Sequence, residues 1–116
     1  IIDGKRQLIQ QLRRLEPAGP GAELKKKLPK LGATAEKKPG EVPIIFKLFF
    51  PWGKWTAYVI EGEQLKNGDW TLFALVHDQE KEFGYLSLNE LENVRGPMGL
   101  TLERDKYIKA TLTDVL

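Results

Sequence analysis

The chain has 116 residues and no cysteine. That absence excludes disulfides, thiolate metal sites and a thiol nucleophile. It also points to a reducing, cytoplasmic-type compartment, because small secreted domains usually need cross-links. Histidine is nearly absent too. His77 is the only one, and one imidazole without cysteine falls short of the four N/S ligands of a structural zinc site. Asp78 follows it directly, but neighbours on a strand point to opposite faces, so the two form no catalytic pair. His77 therefore reads as a surface residue at a strand end. No G-x-x-x-x-G-K-[ST] loop and no G-x-G-x-x-G turn occurs, which removes the usual support for nucleotide binding. Long apolar runs are missing as well. The longest, Ile44 to Phe50, is broken by Lys47 and is far too short to span a bilayer, so no membrane association is expected. The opening Ile1-Ile2-Asp3-Gly4 has no basic region followed by an apolar stretch, so no signal peptide is expected. It also lacks an initiator Met, as a fragment or one module of a larger protein would.

What is present suits a small globular domain. Apolar residues make up 41% and charged residues 29%, both ordinary shares, and the length allows one hydrophobic core. Net charge is only +2, yet it is unevenly spread. Residues 1–54 carry 12 Lys and Arg against 5 Asp and Glu, whereas residues 55–116 carry 6 against 11. Such lopsidedness is a reason to consider an ionic partner. The plainer account is that the two segments offset each other once folded.

Periodicity then assigns the elements. Leu8, Ile9, Leu12 and Leu15 make one apolar stripe on a helix over Asp3–Leu15, with Asp3 as N-cap. Pro17, Gly19, Pro20 and Gly21 end it, so residues 1–20 read as an extension on a hinge, followed by a domain over 21–116. A short helix is expected over Ala22–Leu28, then an exposed loop over Gly32–Gly40. From Val42 the composition turns β-branched and aromatic. Strands are expected over Ile44–Phe50, Trp55–Ile60, Trp70–Val76 and Phe83–Leu86, with Asn67-Gly68 in a hairpin loop. Ser87-Leu88-Asn89-Glu90 reads as a capping box opening a helix over Leu88–Val94, which Gly96-Pro97 stops. A last strand within Leu102–Ile108 and a helical turn over Thr111–Leu116 complete the chain. The expected fold is α+β: an antiparallel meander of four to five strands with short helices packed on it, preceded by an amphipathic helix.

The residues that could carry chemistry are few. Glu61, Glu63 and Asp69 flank one hairpin and could share a divalent cation, although solvated loop charge is the simpler reading. Arg95 and the run Glu103-Arg104-Asp105 offer directional Arg–carboxylate pairing, suited either to a ligand phosphate or to pinning the Gly96-Pro97-Met98-Gly99 loop onto the sheet. Pinning is preferred. Trp52, Trp55, Tyr58, Trp70 and Phe73, with Lys47 and Lys54 nearby, are the kind of set that stacks single-stranded bases. Aromatic rings also fill small cores, and the core is the preferred account here. Trp52, in a Pro-Trp-Gly turn, is the ring expected to be exposed. Lys25, Lys26, Lys27 and Lys30 (with Lys37 and Lys38) could meet phosphates or form a solvated face. No metal and no cofactor is expected, and catalysis by Glu61, Asp69 and Glu103 is disfavoured because metal-assisted hydrolysis needs convergent carboxylates.

The strings Leu28-Pro29-Lys30-Leu31, Pro51-Trp52-Gly53-Lys54-Trp55-Thr56, Asn67-Gly68-Asp69-Trp70, Phe83-Gly84-Tyr85-Leu86-Ser87-Leu88-Asn89-Glu90-Leu91 and Val94-Arg95-Gly96-Pro97-Met98-Gly99-Leu100, followed by Leu102-Glu103-Arg104-Asp105, resemble a bacterial family of domains of unknown function, family 2958. The resemblance covers about residues 22–116 and leaves out the first 20. It departs at Ala57, where the family usually has an aromatic residue, and is only similar at Tyr107-Ile108. It implies a small accessory domain of plasmids, phages and integrative elements, in some cases near antirestriction proteins, and it supplies no catalytic residues. The expected function is thus a non-enzymatic interaction module of a mobile element, assisting transfer or countering host defence. Its partner would be a protein met through Trp52, Lys54, Arg95, Glu103, Arg104 and Asp105. The alternative is a nucleic-acid-binding accessory protein using the lysines and Trp52.

Overall fold

The structure, a computed structural model, describes residues 27–116. The helix expected over Asp3–Leu15, the Pro/Gly hinge, nearly all of the helix expected over Ala22–Leu28, and Lys25 and Lys26 lie outside the described residues. Within them, five strands form one antiparallel sheet: β1 (Phe46–Phe49), β2 (Thr56–Gln64), β3 (Trp70–His77), β4 (Lys81–Ser87) and β5 (Glu103–Asp105). Their spatial order is β4-β3-β2-β1-β5. The first four make the expected meander, and β5 returns to lie beside β1. Two short helices, α1 (Leu88–Asn93) and α2 (Leu112–Val115), and two 3-10 turns complete an α+β fold. Among the described residues no helix is long and apolar enough to cross a membrane.

Local chemistry explains the joints. At the β2–β3 hairpin, Gly68 takes φ +91°, the Leu65 carbonyl accepts from Gly68 N–H (3.0 Å), and Leu65 N–H donates to the Asp69 carbonyl (2.8 Å). This is a three-residue loop in which only the last position needs a left-handed backbone. Ser87 caps α1: its hydroxyl accepts from Glu90 N–H at 3.2 Å, the serine half of the expected capping box. At α2 the reciprocal bond is made: Asp114, in the first turn, reaches back to accept from the N-cap Thr111 N–H at 2.7 Å.

The sheet is covered on both faces. One face carries Phe46, Leu48, Ala57, Val59, Leu72 and Ala74, closed by Leu28, Leu88 and Leu102. The other gathers Ile44, Ile60 and Leu75 with Val42 and Leu112. Where the chain enters, Gly62 N–H donates to the Pro29 carbonyl (3.0 Å), and a Cβ on Gly62 would stand 2.8 Å from Leu28 Cδ1. Glycine leaves the Leu28 side chain room where the entering segment crosses β2.

Several boundaries differ from expectation, and β4 begins at Lys81 rather than Phe83. β1 begins at Phe46 rather than Ile44, because Pro43 bridges Thr111 and Ile44 N–H donates to the Ala110 carbonyl instead. β2 runs on to Gln64 instead of ending at Ile60. A bulge between Val59 and Glu61 inserts Ile60 as an extra residue, and the strand continues past it.

Candidate functional site

Glu61 and Asp69 are not the solvated loop charges that simple reading suggested. The bulge turns Ile60 and Glu61 to the same face, since one extra residue breaks the two-residue alternation. Glu61 is thereby drawn to 3% exposure. Its Oε1 accepts from Gly32 N–H (2.6 Å) and its Oε2 from Thr34 N–H (2.8 Å) and from the Thr34 hydroxyl. Burial raises the pKa of this carboxyl, but the bonds from the Thr34 hydroxyl, Gly32 N–H and Thr34 N–H outweigh it and hold the pKa below the ordinary value. Glu61 is a latch that fastens the 32–41 segment over the second face. Asp69 is a second latch, immediately before β3. Its Oδ1 accepts from Trp70 N–H (2.6 Å) and Asn89 N–H (2.9 Å), and its Oδ2 accepts from the Ser87 hydroxyl (2.6 Å). That ties the start of β3 to the start of α1.

The idea that Glu61, Glu63 and Asp69 share a cation is thus corrected. Two of the three spend their oxygens on separate protein donors, and Glu63 is exposed. Among the described residues no group of three or more His, Cys, Asp or Glu is placed to hold a metal ion.

The residues proposed for binding fall around one corner. Trp52 is half-buried, not free. Its ring stacks on Phe50 with centroids 4.8 Å apart, Phe50 in turn meets Trp55 at 4.9 Å, and both Phe50 and Trp55 pack on the first core. A Cβ on Gly96 would lie 2.3 Å from Trp52 Cδ2, so the ring is pressed flat against that backbone. Arg95 Nη1 donates to the carbonyls of Glu92 (2.9 Å) and Val94 (3.2 Å), closing the C-terminal end of α1. Glu103, Arg104 and Asp105 sit in β5 opposite Phe49, Leu48 and Lys47. The Arg104 guanidinium lies over the Phe46 ring at 5.7 Å, and Asp105 accepts from Tyr107 N–H. Lys54 stands exposed in the turn beside Trp52. Lys27 and Lys30 are exposed where the described chain enters the fold. Trp70 is buried, and Trp55, Tyr58 and Phe73 are half-buried against the two cores.

At the tip of the same corner is a residue the sequence did not single out. Met98 is 92% exposed and takes φ +59°, ψ 22°, the left-handed region that costs a side-chain-bearing residue roughly 1–2 kcal/mol. The backbone around it is braced. Gly96 N–H donates to the Leu100 carbonyl (2.8 Å), Leu100 N–H to the Pro97 carbonyl (3.1 Å) and Gly99 N–H to the Gly96 carbonyl (3.2 Å). Val94, 40% exposed, precedes it. Gly-Pro before Met98 and glycine after it were the only signals available.

No curated protein and no solved structure matches this chain. A family profile covers residues 21–114, and with that span the chain belongs to the family described as protein of unknown function DUF2958.

Proposed function

We propose that this domain is a non-catalytic protein-recognition module whose contact surface is the corner formed by the Trp52 turn and the 94–99 loop. The single observation behind this reading is Met98. A flexible, polarizable side chain suited to adaptable apolar contacts is held almost wholly in water, on a backbone conformation that costs free energy. A partner that covers it would recover apolar burial, and the braced loop would lose little entropy on binding. Trp52 stiffens the loop from beneath, while Lys54 supplies charge at the rim. Service to a mobile genetic element, in transfer or counter-defence, is the biological setting we propose, on the strength of the motif strings alone.

The test is capture from the natural host with the full chain and with Met98→Asp. A partner retained by the wild type and by a Lys66→Ala control, and lost with Met98→Asp, supports the reading. Equal retention by all three ends it. The competing reading, nucleic-acid binding, draws on the basic first half of the chain. It predicts a mobility shift with single-stranded DNA that weakens steeply with salt and is indifferent to Met98→Asp.

A further inference from the structure

The two edges of the sheet are unequally protected. β5 is three residues long and entirely charged, Glu103-Arg104-Asp105, which is how natural proteins blunt an edge against further pairing. β4 is seven residues long. Its register with β3 runs without a bulge from Lys81 to Ser87, it has no proline, and in the middle it bears Phe83 and Tyr85, 46% and 68% exposed. None of the usual safeguards covers its centre.

The direction of each backbone group on β4 follows from the pairing. The Leu65–Asp69 bond closes the β2–β3 hairpin, so by alternation Thr71 and Phe73 bond to β2 while Leu72, Ala74 and Val76 bond to β4. Their partners Leu86, Gly84 and Glu82 face inward. The N–H and C=O groups of Lys81, Phe83, Tyr85 and Ser87 therefore point outward, with no partner strand among the described residues.

We infer that β4 is a dimerisation edge, taking the β4 strand of a second copy of this chain antiparallel about a two-fold axis through Gly84. Among self-pairings of these outward groups, this register overlaps the whole strand. Phe83 bonds with Tyr85 of the other copy, and Lys81 with Ser87, each twice by symmetry. No like charges oppose each other, because Glu82 falls opposite Leu86. The same register unites the aromatic rings. Phe73 already stacks on Phe83 (5.6 Å) and meets Tyr85 at a tilt (4.9 Å) within one copy, and side chains directly opposite across an antiparallel pair share a face. The two sets would form one continuous ladder over the groove of about 310 Å³ between Phe73, Phe83, Tyr85 and the Glu61 latch. An interface built on one strand pair is small, below about 1,200 Å², so the dimer is a weak, concentration-dependent one. This surface is separate from the Met98 corner and does not depend on the function proposed for it.

Gly84 makes the register testable. It would form a non-hydrogen-bonded pair with itself, Cα to Cα about 4.5 Å, inside the range of a disulfide. A Cβ there meets nothing within 4 Å, and the chain has no cysteine to compete. Under mild oxidation Gly84→Cys is expected to become mostly covalent dimer, whereas Phe83→Cys, which faces Tyr85 rather than itself, yields a trace. In sedimentation velocity the wild-type mass should rise toward twice the monomer value with concentration. Tyr85→Lys should hold it at the monomer value with an unchanged melting temperature. A wild type that stays monomeric at every concentration overturns the inference and leaves the edge to a foreign strand. Equal cross-linking of both cysteine variants, or a dimer unaffected by Tyr85→Lys, overturns it as well.

Discussion

The two faces of the sheet are closed by different physics. On the first, large apolar side chains from β1, β2 and β3 are sealed by Leu28, Leu88 and Leu102. The closure extends through Phe50 and Trp55 to Trp52 and the loop that displays Met98. On the second, a smaller apolar set is roofed by a segment that a single carboxylate, Glu61, holds down through three donors, while Phe83 and Tyr85 stay in water. The first face is closed chiefly by apolar area, with the Asp69 carboxylate tying α1 to β3 at its rim. The second has less apolar area and depends more on the Glu61 carboxylate beneath its roof.

Substitutions should reproduce that split. Trp70 is 2% exposed in the first core, so Trp70→Ala should cost about 3–5 kcal/mol, seen as a large drop in the urea midpoint at every pH. Glu61→Ala removes an acceptor and leaves Gly32 and Thr34 N–H groups without their partner, a loss of about 2–3 kcal/mol. Hydrogen exchange should accelerate first at those amides, with the first face still protected. If both faces open together, the comparison fails and the domain is one cooperative unit.

Acid sharpens the same contrast. The Glu61 carboxyl has a folded-state pKa below its ordinary 4.5, so its unfolded form binds the proton more readily than its folded form. Its stabilisation is fully present above about pH 4.5. It is lost as pH falls through the lower, folded value. Titrating from neutral pH to pH 3 should therefore destabilise the wild type more than Glu61→Gln, with the excess loss confined to that acidic window. Equal acid sensitivity in the two proteins would mean that other carboxylates carry the effect.

The first face was more legible in the sequence than the second for the same physical reason. Alternation and β-branched runs announced β1 to β4, and Ser87 announced α1, because these signals are local. The bulge at Ile60 is a local break in alternation with no residue type that requires it, so β2 was expected to end too early. The burial of Glu61 depends on donors 27 and 29 positions away, a separation no window detects. Trp52 looked exposed because its Pro-Trp-Gly setting is a turn. The backbone that covers it, at Gly96, comes from beyond β4 and α1. Phe83 and Tyr85 carried the opposite bias: aromatic residues on a strand suggest burial, and nothing local says that the strand is an edge.

Smaller effects probe the corner that the first face supports. Gly96→Ala keeps an ordinary backbone conformation (φ −100°) but drives a methyl into the Trp52 ring. Overpacking of this kind costs about 1–3 kcal/mol. Tryptophan fluorescence should shift to the red as the ring is displaced toward water, and a Trp52→Ala background should accept the methyl without that cost. A full penalty in that background would show that something other than the ring limits the space.

Met98→Gly is the smallest change and the most discriminating. Glycine takes the left-handed conformation without the Cβ clash, but it also loosens the unfolded chain. The two effects oppose each other, and the folded-state relief of roughly 1–2 kcal/mol should slightly exceed the unfolded-state cost of roughly 0.4–1 kcal/mol, because a side chain 92% exposed gives up almost no burial when removed. The variant is expected to melt at or slightly above the wild-type temperature. A residue kept only for packing would behave in the opposite way. If Met98→Gly clearly destabilises the domain, the side chain already has its contacts within this chain, and the corner is then closed by area like the rest of its face, with no apolar tip left for a partner to cover.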